Sequence, residues 1–453
     1  MLDRMEPHER TLLGHPRGLA LLFLVEMWER FSYYGMRALL VLYLVNALKW
    51  DTPSATNLYG TYTGLVYLTP LFGGYLADRY LGTRRSLVIG GVLIALGHFC
   101  LAVEGMVTFY VGLGLVILGT GFFKPNVSTM VGQLYPAGDP RRDGGFTLFY
   151  MGINLGAFIA PLICGYLGER VGWQWGFGAA GVGMVFGLVL YVWGRDRYLP
   201  GIGINTASST ESAGLGEGNH RTHRAHSDSL GEKPNATGAE DRNRILALAI
   251  VILFVVAFWA AYDQNGSSMN LFADKATNRV LGRFLVPTSW FQAVNPGFIL
   301  LFAPLFALLW RRLQIAGREP STPMKMVFGL TILGLGFAFM VIGGRRSESG
   351  ILVSPLWLIA TYFFQTTGEL CLSPVGLSYV TKVAPARFAS VLMAGWFLAN
   401  SAGDKLAGMV AGLYGQMPTG SFFMMFVVSS LAASGLLYLL VPKINQLTAG
   451  VKL

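Results

Sequence analysis

Twelve long apolar runs dominate the chain and restrict what it can fold into. They alternate with polar connections and lie at about residues 18–48, 57–79, 85–104, 106–132, 145–168, 172–194, 245–272, 288–310, 323–343, 351–381, 388–414 and 421–441. A helix needs roughly 20 apolar residues to cross a bilayer, where its backbone must satisfy its own hydrogen bonds. The pattern therefore predicts an all-α polytopic membrane protein with about twelve transmembrane helices.

The composition supports a membrane protein and argues against a nucleic-acid-binding protein. Of the 453 residues, 53% are hydrophobic and only 13% are charged, whereas soluble domains carry about 25% charged residues. The net charge of +10 comes from short basic clusters between apolar runs, which is typical of cytoplasmic loops that face anionic lipid. The first run has no small-residue cleavage site before its charged residues, so we expect this segment to be retained.

The basic clusters predict how the chain crosses the membrane. The even-numbered connections carry Arg84, Arg85, Arg141, Arg142, Arg195, Arg197, Arg311, Arg312, Arg318, Lys382 and Arg387. The odd-numbered connections are mostly poor in Lys and Arg; the exceptions are Lys275, Arg279, Arg283, Arg345 and Arg346. Because cytoplasmic loops carry the excess of Lys and Arg, both termini are expected in the cytoplasm.

A polar segment divides the chain into two halves of six runs each. From about Pro200 to Asn243 the sequence is rich in Gly, Ser, Thr and His and cannot build a core, which predicts a flexible cytoplasmic linker. We expect an N-terminal bundle at 1–198, the linker at 199–243 and a C-terminal bundle at 244–453.

The two halves resemble each other weakly. Pro70-Leu-Phe recurs as Pro304-Leu-Phe, and Lys124 and Glu369 each precede a proline in corresponding runs. Repeats with charged, Pro-interrupted helices at matching positions are typical of secondary transporters, which bind substrate near the bilayer midplane.

Charged residues inside the first apolar run give the strongest chemical signal. At 100° per residue, Glu26, Arg30, Tyr33 and Arg37 share one stripe of a helix, beside Glu29. A charge at bilayer depth costs about 2.5–3.5 kcal/mol even on the lenient insertion scale, so these residues must face protein or a wet cavity. A structural ion pair between Glu26 and Arg30 is the alternative, but it explains only two of the four charges.

The other runs add Lys124, Asp263, Glu369 and the adjacent Asp404 and Lys405. Together with the first run, this makes five acids against four bases. If every pair forms, one carboxyl lacks a partner, and burial favours its neutral form, as a proton-coupled carrier requires. Alternatively, Asp404 and Lys405 lie at an aqueous rim and Glu29 is solvated.

Charges of opposite sign in the two halves suit a zwitterionic ligand. Its carboxylate could bind Arg37 and Lys124, and its ammonium could bind Glu369. The accompanying aromatic and amide residues are those of a mostly apolar cavity with a few fixed polar groups: Tyr33, Tyr34, Tyr67, Trp259, Tyr262, Trp396, Asn154, Gln264, Asn265 and Asn295. Helix packing or interface anchoring is the alternative for each single aromatic residue.

Enzymatic function is not indicated. No run contains a His-Glu-x-x-His metal motif or a P-loop lysine, and Ser373 near Glu369 has no histidine base nearby in sequence. The cysteines, Cys100, Cys164 and Cys371, lie far apart in apolar runs and predict neither a disulfide framework nor a metal site. We expect no metal and no cofactor. A channel would rarely need so many compensated charges.

Several motifs resemble the proton-dependent oligopeptide transporter (POT/PTR) family of the major facilitator superfamily. They occur in both halves: Glu26-x-x-Glu29-Arg30-Phe31 with Tyr33-Tyr34-Gly35, Phe122-Phe123-Lys124-Pro125-Asn126, Phe149-Tyr150-x-x-Ile153-Asn154-x-Gly156, Gly368-Glu369-Leu370 with Ser373-Pro374-Val375-Gly376-Leu377, and the loop from Gly74 to Arg85. The resemblance implies the major facilitator fold and symport of di- and tripeptides with protons by alternating access.

The resemblance also implies roles for single residues. Proton coupling would involve Glu26, Glu29, Arg30, Asp263 and Glu369. Substrate binding would involve Tyr33, Tyr34, Arg37, Tyr67, Lys124, Asn154, Trp259, Asn295, Glu369, Ser373 and Trp396. Gating or structural roles would fall to Asp78, Arg79, Arg84 and Arg85. Arg37 with Asp263, and Lys124 with Glu369, would form ion pairs between the halves that break during transport.

The partners implied are di- and tripeptides, protons and the lipid bilayer, with no nucleic acid, in a monomer of the bacterial inner membrane. Two features depart from the family pattern. Asp263 stands where many relatives have Glu, which shortens its reach toward Arg37. The linker is also too polar for the two extra helices of many bacterial relatives, so we expect twelve helices and not fourteen.

The alternative function is a proton-coupled carrier of another small solute, such as nitrate or an amino acid, on the same fold. The intact acidic pair of the first run favours peptide, because the resemblance links that motif to peptide symport.

Overall fold

The computed structural model describes residues 11–12, 14–136, 138–204 and 238–449, which are almost entirely helical. The helices are α1 Arg17–Leu42, α2 Thr52–Leu76, α3 Thr83–Leu101, α4 Met106–Gln133, α5 Arg142–Tyr166, α6 Trp173–Tyr198, α7 Gly238–Tyr262, α8 Ser268–Lys275, α9 Val294–Ile315, α10 Thr322–Ser347, α11 Leu356–Val383, α12 Ala389–Ala411 and α13 Thr419–Leu447. Two antiparallel hairpins pair β1 Thr11–Leu12 with β2 His15–Pro16 and β3 Val280–Leu281 with β4 Phe284–Leu285.

The prediction of an all-α protein with twelve transmembrane segments is confirmed, with one segment broken. Helices α7 and α8 share the seventh predicted run and are separated by the 3₁₀ turn Asp263–Gly266. In the described part of the chain, eight helical segments are long and apolar enough by composition alone to span a membrane. Helices α1, α2, α11 and α12 are of similar length but carry polar or charged residues, which must find partners on neighbouring helices.

The predicted linker at 199–243 is described only at its two ends, since residues 205–237 lie outside the described part. At its start, Arg84 donates hydrogen bonds to two backbone carbonyls of residues 199–204 and holds them near α3. At its end, the chain is already helical from Gly238, with two acidic residues in the first turn, where the helix dipole favours negative charge. The helical part of the second half thus begins earlier than the sequence predicts.

Successive membrane-crossing segments run in opposite directions, which gives the molecule two faces. The terminal face holds the described residues nearest both chain ends and the α4–α5 connection. There Arg141 donates to the carbonyl of Gly14 at 3.2 Å, and His15 hydrogen-bonds the Tyr135 hydroxyl at 2.9 Å. The distal face, on the opposite side, holds the β3–β4 hairpin and the α1–α2 and α5–α6 connections.

Helix packing builds each half around buried apolar side chains. In the first half, α1 packs on α5 and α6, and α3 packs on α4. In the second half, α10 packs on α11 and α13, with Phe337 stacked on Phe426 at 5.0 Å between ring centroids. Helix α2 of the first half lies directly on α12 of the second, so the halves contact each other within the membrane.

Glycine allows the close approach of α2 to α12. A Cβ added to Gly60 would lie 2.7 Å from Cα of Gly408, and one added to Gly64 would lie 2.9 Å from the carbonyl oxygen of Ser401. These distances are shorter than a carbon side chain tolerates, so larger residues would force the helices apart. Small residues at helix crossings are the usual means of close packing within membranes.

We expect Gly60→Val to lower the melting temperature in detergent, because overpacking a tight interface costs about 1–3 kcal/mol. Gly435→Val on α13 is the matched control, since nothing lies within 4 Å of a Cβ added there. Thermal unfolding followed by tryptophan fluorescence compares the two. Equal melting temperatures for both variants would contradict the close approach.

Candidate functional site: a charged cavity between the halves

A cavity of about 240 Å³ lies between the two halves, and both contribute to its wall. The first half contributes Glu26, Arg30, Tyr34, Arg37, Tyr67, Lys124, Tyr150, Ile153, Asn154 and Ala157. The second half contributes Trp259, Tyr262, Asp263, Asn265, Gln292, Asn295, Pro296, Ile299, Tyr362, Glu369, Ser373, Trp396, Phe397 and Asn400. Charges of both signs from both halves therefore share one space.

The charged stripe of α1 forms a three-residue cluster. Arg30 Nε lies 3.1 Å from Glu26 Oε1, one helical turn away, and also hydrogen-bonds Glu29. All three side chains are buried. Within the described residues, Glu26 Oε2, Glu29 Oε1 and Arg30 Nη2 have no hydrogen-bond partner. One arginine serves two acids here, so the cluster holds one carboxyl more than the simple Glu26–Arg30 pair predicts.

Arg37 joins the halves at the distal end of the cavity. Its Nη2 atom donates to Asp263 Oδ1 at 2.5 Å, and its Nε atom donates to the Tyr59 hydroxyl at 2.6 Å. The Arg37–Asp263 contact suggested by the resemblance is thus present, and the shorter Asp side chain still reaches. Tyr59 has no counterpart among the predicted site residues.

The break between α7 and α8 positions Asp263. The sequence Asp263-Gln-Asn-Gly266 is poor in helix formers, and a Cβ on Gly266 would lie 1.7 Å from the Tyr59 hydroxyl oxygen. Gln264 Nε2 donates to the carbonyls of Ala260 and Ala407, each at 3.1 Å. A side-chain amide thus serves carbonyls beside the interrupted helix, which allows the break inside a membrane.

Lys124 and Glu369 lie on opposite walls of the cavity without forming an ion pair. Lys124 Nζ lies 4.0 Å from the ring centroid of Tyr67. Glu369 Oε2 accepts hydrogen bonds from the Tyr262 hydroxyl at 2.5 Å and from Asn295 Nδ2 at 3.2 Å. In the described residues both charges are therefore available for a ligand. The pair that the resemblance implies is not formed in this conformation.

Lys405 does not belong to the cavity. Its Nζ atom hydrogen-bonds Asn57 Oδ1 at 2.6 Å and Thr61 Oγ1 at 2.7 Å across the α2–α12 interface. The adjacent Asp404 is 2% exposed and points inward. The suggestion that both lie at an aqueous rim thus fails for Asp404. Without Lys405, the nine charged residues predicted inside the runs leave five acids against three bases around the cavity. Two carboxyls, rather than one, lack a base.

Most of the uncharged residues predicted for the site lie on its wall, namely Tyr34, Tyr67, Asn154, Trp259, Asn295, Ser373 and Trp396. Two further predicted residues, Glu29 and Tyr33, do not lie on the wall. Tyr33 is buried behind the wall, with its ring 5.1 Å from that of Tyr34, so it supports the site from behind.

The residues that the sequence analysis did not assign to the site include Tyr59, Tyr150, Gln292, Tyr362 and Asn400. A signal existed for two of them. Tyr150 lies one turn before Asn154, and Asn400 lies between Trp396 and Asp404 at four-residue spacing, the period of one helix face. Gln292 and Tyr362 are brought to the wall only by the tertiary arrangement.

The α2–α3 connection lies at the terminal face, away from the cavity. Asp78, Arg79 and Arg85 are exposed there. Arg84 alone is tied to other segments, through backbone carbonyls near the end of α6 and through Asp196 at 3.1 Å. These contacts join the first half to itself and to the described start of the linker, and none of them reaches the second half.

A second set of contacts joins the halves at the distal face, and we call it the distal clamp: Glu169, Asp274, Arg279, Thr288 and Ser289. Glu169 accepts hydrogen bonds from the backbone N–H groups of Thr288 and Ser289 at 2.7 and 2.8 Å and from the Ser289 hydroxyl at 2.6 Å. Arg279, an exception to the predicted loop charges, lies 3.1 Å from Asp274 and 3.9 Å from Glu169.

The two faces differ in the ion pairs that connect the two halves. In the described residues, the ion pairs between halves are Arg37 with Asp263 and Arg279 with Glu169. At the terminal face, the ion pairs stay within one half, as for Lys325 with Glu319. The contacts that join the halves through charge thus lie at the cavity and on its distal side.

Comparison with known proteins gives the family. The model of the POT family matches residues 84–206 and 222–430, more than half of the chain. A protein of Bacillus subtilis (strain 168) named uncharacterized transporter YclF is 40% identical over 98% of this chain and 97% of its own length. A di-/tripeptide transporter of Lactococcus lactis subsp. cremoris is 34% identical over 100% of both chains.

The fold is shared with solved structures. A crystal structure of a peptide transporter POT in complex with sulfate matches with a TM-score of 0.86 and 37% identity, over 98% of each chain. The predicted major facilitator fold is therefore confirmed, and the match includes both halves around the cavity. The chain is an integral membrane transporter and not an enzyme, and it belongs to the POT family.

Proposed function

We propose that this protein is a symporter that moves di- and tripeptides together with protons by alternating access. One observation carries the proposal: acids and bases from both halves face one cavity between them. A ligand that binds both halves changes the contacts that hold them together, which couples binding to movement of the halves. The peptide transporters among its relatives support the substrate class.

The available charges of the cavity suit the two ends of a peptide zwitterion. Lys124 faces the cavity without an acidic partner in the described residues, and Arg37 lies on the same half. Glu369, on the other half, accepts hydrogen bonds from two neutral donors, Tyr262 and Asn295. A peptide carboxylate would bind Arg37 and Lys124, and its ammonium would bind Glu369, so the substrate would link the two halves.

The uncharged wall suits the middle of the peptide. Asn154 and Asn295 supply amide groups for the peptide bond, with Ser373 beside Glu369. Tyr34, Tyr67, Trp259 and Trp396 offer aromatic surfaces to varied side chains. The volume of about 240 Å³ lies just below the about 300–1,000 Å³ typical of drug-sized ligands, which favours a short peptide.

The excess of carboxyls supports proton coupling. In the proposed cycle the Glu26 or Glu29 carboxyl carries the proton beside Arg30, which stays charged, and Asp263 and Glu369 link protonation to the contacts between halves. Two carboxyls without a base cannot both stay ionised in a buried space at low cost, so protons accompany this charge arrangement.

The described conformation fits a carrier that is closed at its distal face by the distal clamp. With both termini in the cytoplasm, this conformation would face inward. We further propose a monomer in the bacterial inner membrane, with Asp78, Arg79, Arg84 and Arg85 stabilising the loop at the cytoplasmic end of the first half as the bundles rock.

The test is uptake of labelled dialanine into proteoliposomes that contain the purified protein. An inward proton gradient should drive accumulation above the external concentration, and a protonophore should abolish it. Excess nitrate and single amino acids should compete weakly, whereas unlabelled tripeptide should compete strongly. Accumulation that ignores the proton gradient, or uptake blocked by nitrate or an amino acid but not by peptides, would refute the proposal.

Lys124→Gln should reduce the preference for dialanine over its C-terminal amide, because Arg37 is then the remaining cation for the carboxylate. A hydrogen bond to a charged group contributes about 1.5–3 kcal/mol, so wild type should bind the free carboxylate about 10 to 100 times more tightly. Binding by calorimetry measures the ratio. Glu369→Gln is the control on the opposite wall and should lose discrimination against N-acetyl dialanine instead. Equal loss of both preferences in either variant would contradict this placement of the two peptide ends.

A further inference from the structure

Asp404 on α12 is a buried acid that the proposed transport cycle has not used. It is 2% exposed, and its Oδ2 atom has no hydrogen-bond donor in the described part of the chain. Helix α12 packs against the 3₁₀ turn that carries Asp263, and Gln264 of that turn donates to the carbonyl of Ala407 on α12, which brings the Asp404 carboxyl within hydrogen-bonding distance of the Asp263 carboxyl. Asp263 in turn is bound by Arg37. Two acids and one base therefore meet beside the distal end of the cavity, where Arg37 and Asp263 line its wall and Asp404 lies behind it.

Among the described residues, the groups around Asp404 provide no second base in contact. Helix α1 contributes Arg37, α2 contributes the hydroxyls of Tyr59 and Tyr67, and α4 contributes the more distant Lys124. Glu369 on α11 lies near Asp263 and is bound to Tyr262 and Asn295. Lys405 is the neighbour in sequence, but it bonds across to α2.

Two carboxyl groups in contact cannot both accept a hydrogen bond from each other, so one of them must carry a proton. When like charges share a buried site, one proton is retained between them. With one proton, the pair carries a single negative charge, which Arg37 balances. Loss of that proton would leave a buried negative charge without a counter-ion, at a high free-energy cost.

We propose that Asp404 and Asp263 share one proton and that Asp404 is a second proton-carrying group of the transport cycle, separate from the Glu26–Glu29–Arg30 cluster. This inference rests on the proposed proton-coupled function. The pair lies where Arg37 and Tyr59 of the first half meet the break between α7 and α8 of the second. Separation of the halves at the distal face would expose the shared proton to water on that side.

The position of the pair is fixed by packing. Gly60 of α2 lies against the backbone of Asp404, with a built Cβ 2.8 Å from its carbonyl oxygen. Gln264, next to Asp263, donates to the carbonyl of Ala407 one turn further along α12 at 3.1 Å. These contacts hold α12 against the 3₁₀ turn, so the two carboxyls stay together while the halves are closed distally.

Infrared difference spectroscopy of the purified protein tests the shared proton directly. At neutral pH, wild type should show the carbonyl stretch of a protonated carboxyl that is missing in both Asp404→Asn and Asp263→Asn. Asparagine keeps the size and offers an N–H in place of the proton, and a melting curve checks that each variant folds. A signal that persists in full in both variants would overturn the proposal, because an unchanged signal is the result expected if Asp404 has only a structural role.

Transport by Asp404→Asn gives the second test. Exchange of dialanine without a gradient should continue, but accumulation should fall by about tenfold for each pH unit of gradient, because one coupled proton is lost. Lys405→Gln, adjacent in sequence but outside the cavity, is the matched control and should accumulate dialanine as wild type does.

The outcomes separate this inference from the function on which it rests. Gradient-driven accumulation by wild type with an equal ratio in Asp404→Asn would overturn the role of Asp404 and leave symport in place. Absence of gradient-driven accumulation in wild type would overturn symport and with it the second proton-carrying role, while the infrared signal would still decide whether the two acids share a proton.

Discussion

Replacing Glu26 and Glu29 together by glutamine should strongly reduce proton-driven accumulation of dipeptide while leaving exchange across the membrane in place. One proton moving down a gradient of one pH unit releases about 1.4 kcal/mol, which supports about tenfold accumulation of a neutral zwitterion. Glutamine keeps the shape of the side chain and an acceptor for Arg30 but cannot carry a proton. The inside-to-outside ratio should therefore lose about tenfold per pH unit for each proton that this cluster couples.

The two single variants separate the roles of the pair. Glu26 lines the cavity, whereas Glu29 lies behind Arg30 and is fully buried. Exchange of labelled against unlabelled dialanine in the same vesicles shows whether each variant still binds and moves peptide. Glu104→Gln is the control, because Glu104 is an exposed acid that accepts a hydrogen bond from Gln174 outside the cavity. Unchanged accumulation in the double variant would assign coupling to other carboxyls.

Arg37→Gln should lower both the accumulation and the exchange of dialanine by about 100-fold or more. Arg37 holds Asp263 across the two halves and also faces the cavity. Removing one partner of a buried ion pair typically costs about 3–5 kcal/mol, because the remaining charge loses its counter-ion. A free-energy cost of about 3–5 kcal/mol corresponds to two orders of magnitude or more in an equilibrium constant. Dialanine binding and exchange, measured together, should both be lost.

A double variant distinguishes the ion pair from the binding role of Arg37. Arg37→Gln with Asp263→Asn replaces both charges by amides that can hydrogen-bond each other, so the melting temperature should recover toward that of wild type. Peptide binding should remain weak, because the carboxylate has lost one of its cations. Arg283→Gln, in the exposed β3–β4 hairpin, should have no effect on either measurement. Wild-type exchange in the Arg37→Gln single variant would remove this residue from the mechanism.

Much of the fold follows from hydropathy. The main difference from the sequence prediction is the break in the seventh segment. An apolar run of sufficient length must form a helix in lipid, because no other backbone partner is available there. This argument gives twelve segments but treats 245–272 as continuous. The break at Asp263–Gly266 depends on Gln264, whose amide reaches the carbonyl of Ala407 on another helix, and no local pattern reveals that partner.

The site was predictable in its chemistry and only partly in its geometry. Charges inside apolar runs have to avoid lipid, so the convergence of Glu26, Arg37 and Glu369 follows from their positions in the sequence. Their pairing does not. Glu369 is bound to a tyrosine and an asparagine instead of Lys124, because pairing depends on the distance between helices of different halves.

Asp404 and Lys405 show most clearly which features the sequence alone does not determine. The sequence by itself determined that this chain crosses a membrane as helices and that its ionisable side chains turn away from lipid. The free-energy cost of exposing a charge to lipid is the same whichever residue the charge would otherwise contact. Neighbouring positions on a helix point about 100° apart, so one of these two residues is buried in the protein interior and the other lies at the α2–α12 contact. Only the tertiary structure decided which, because the close contact of α2 with α12 at Gly60 sets the rotation of α12 and directs Asp404, not Lys405, toward the interior.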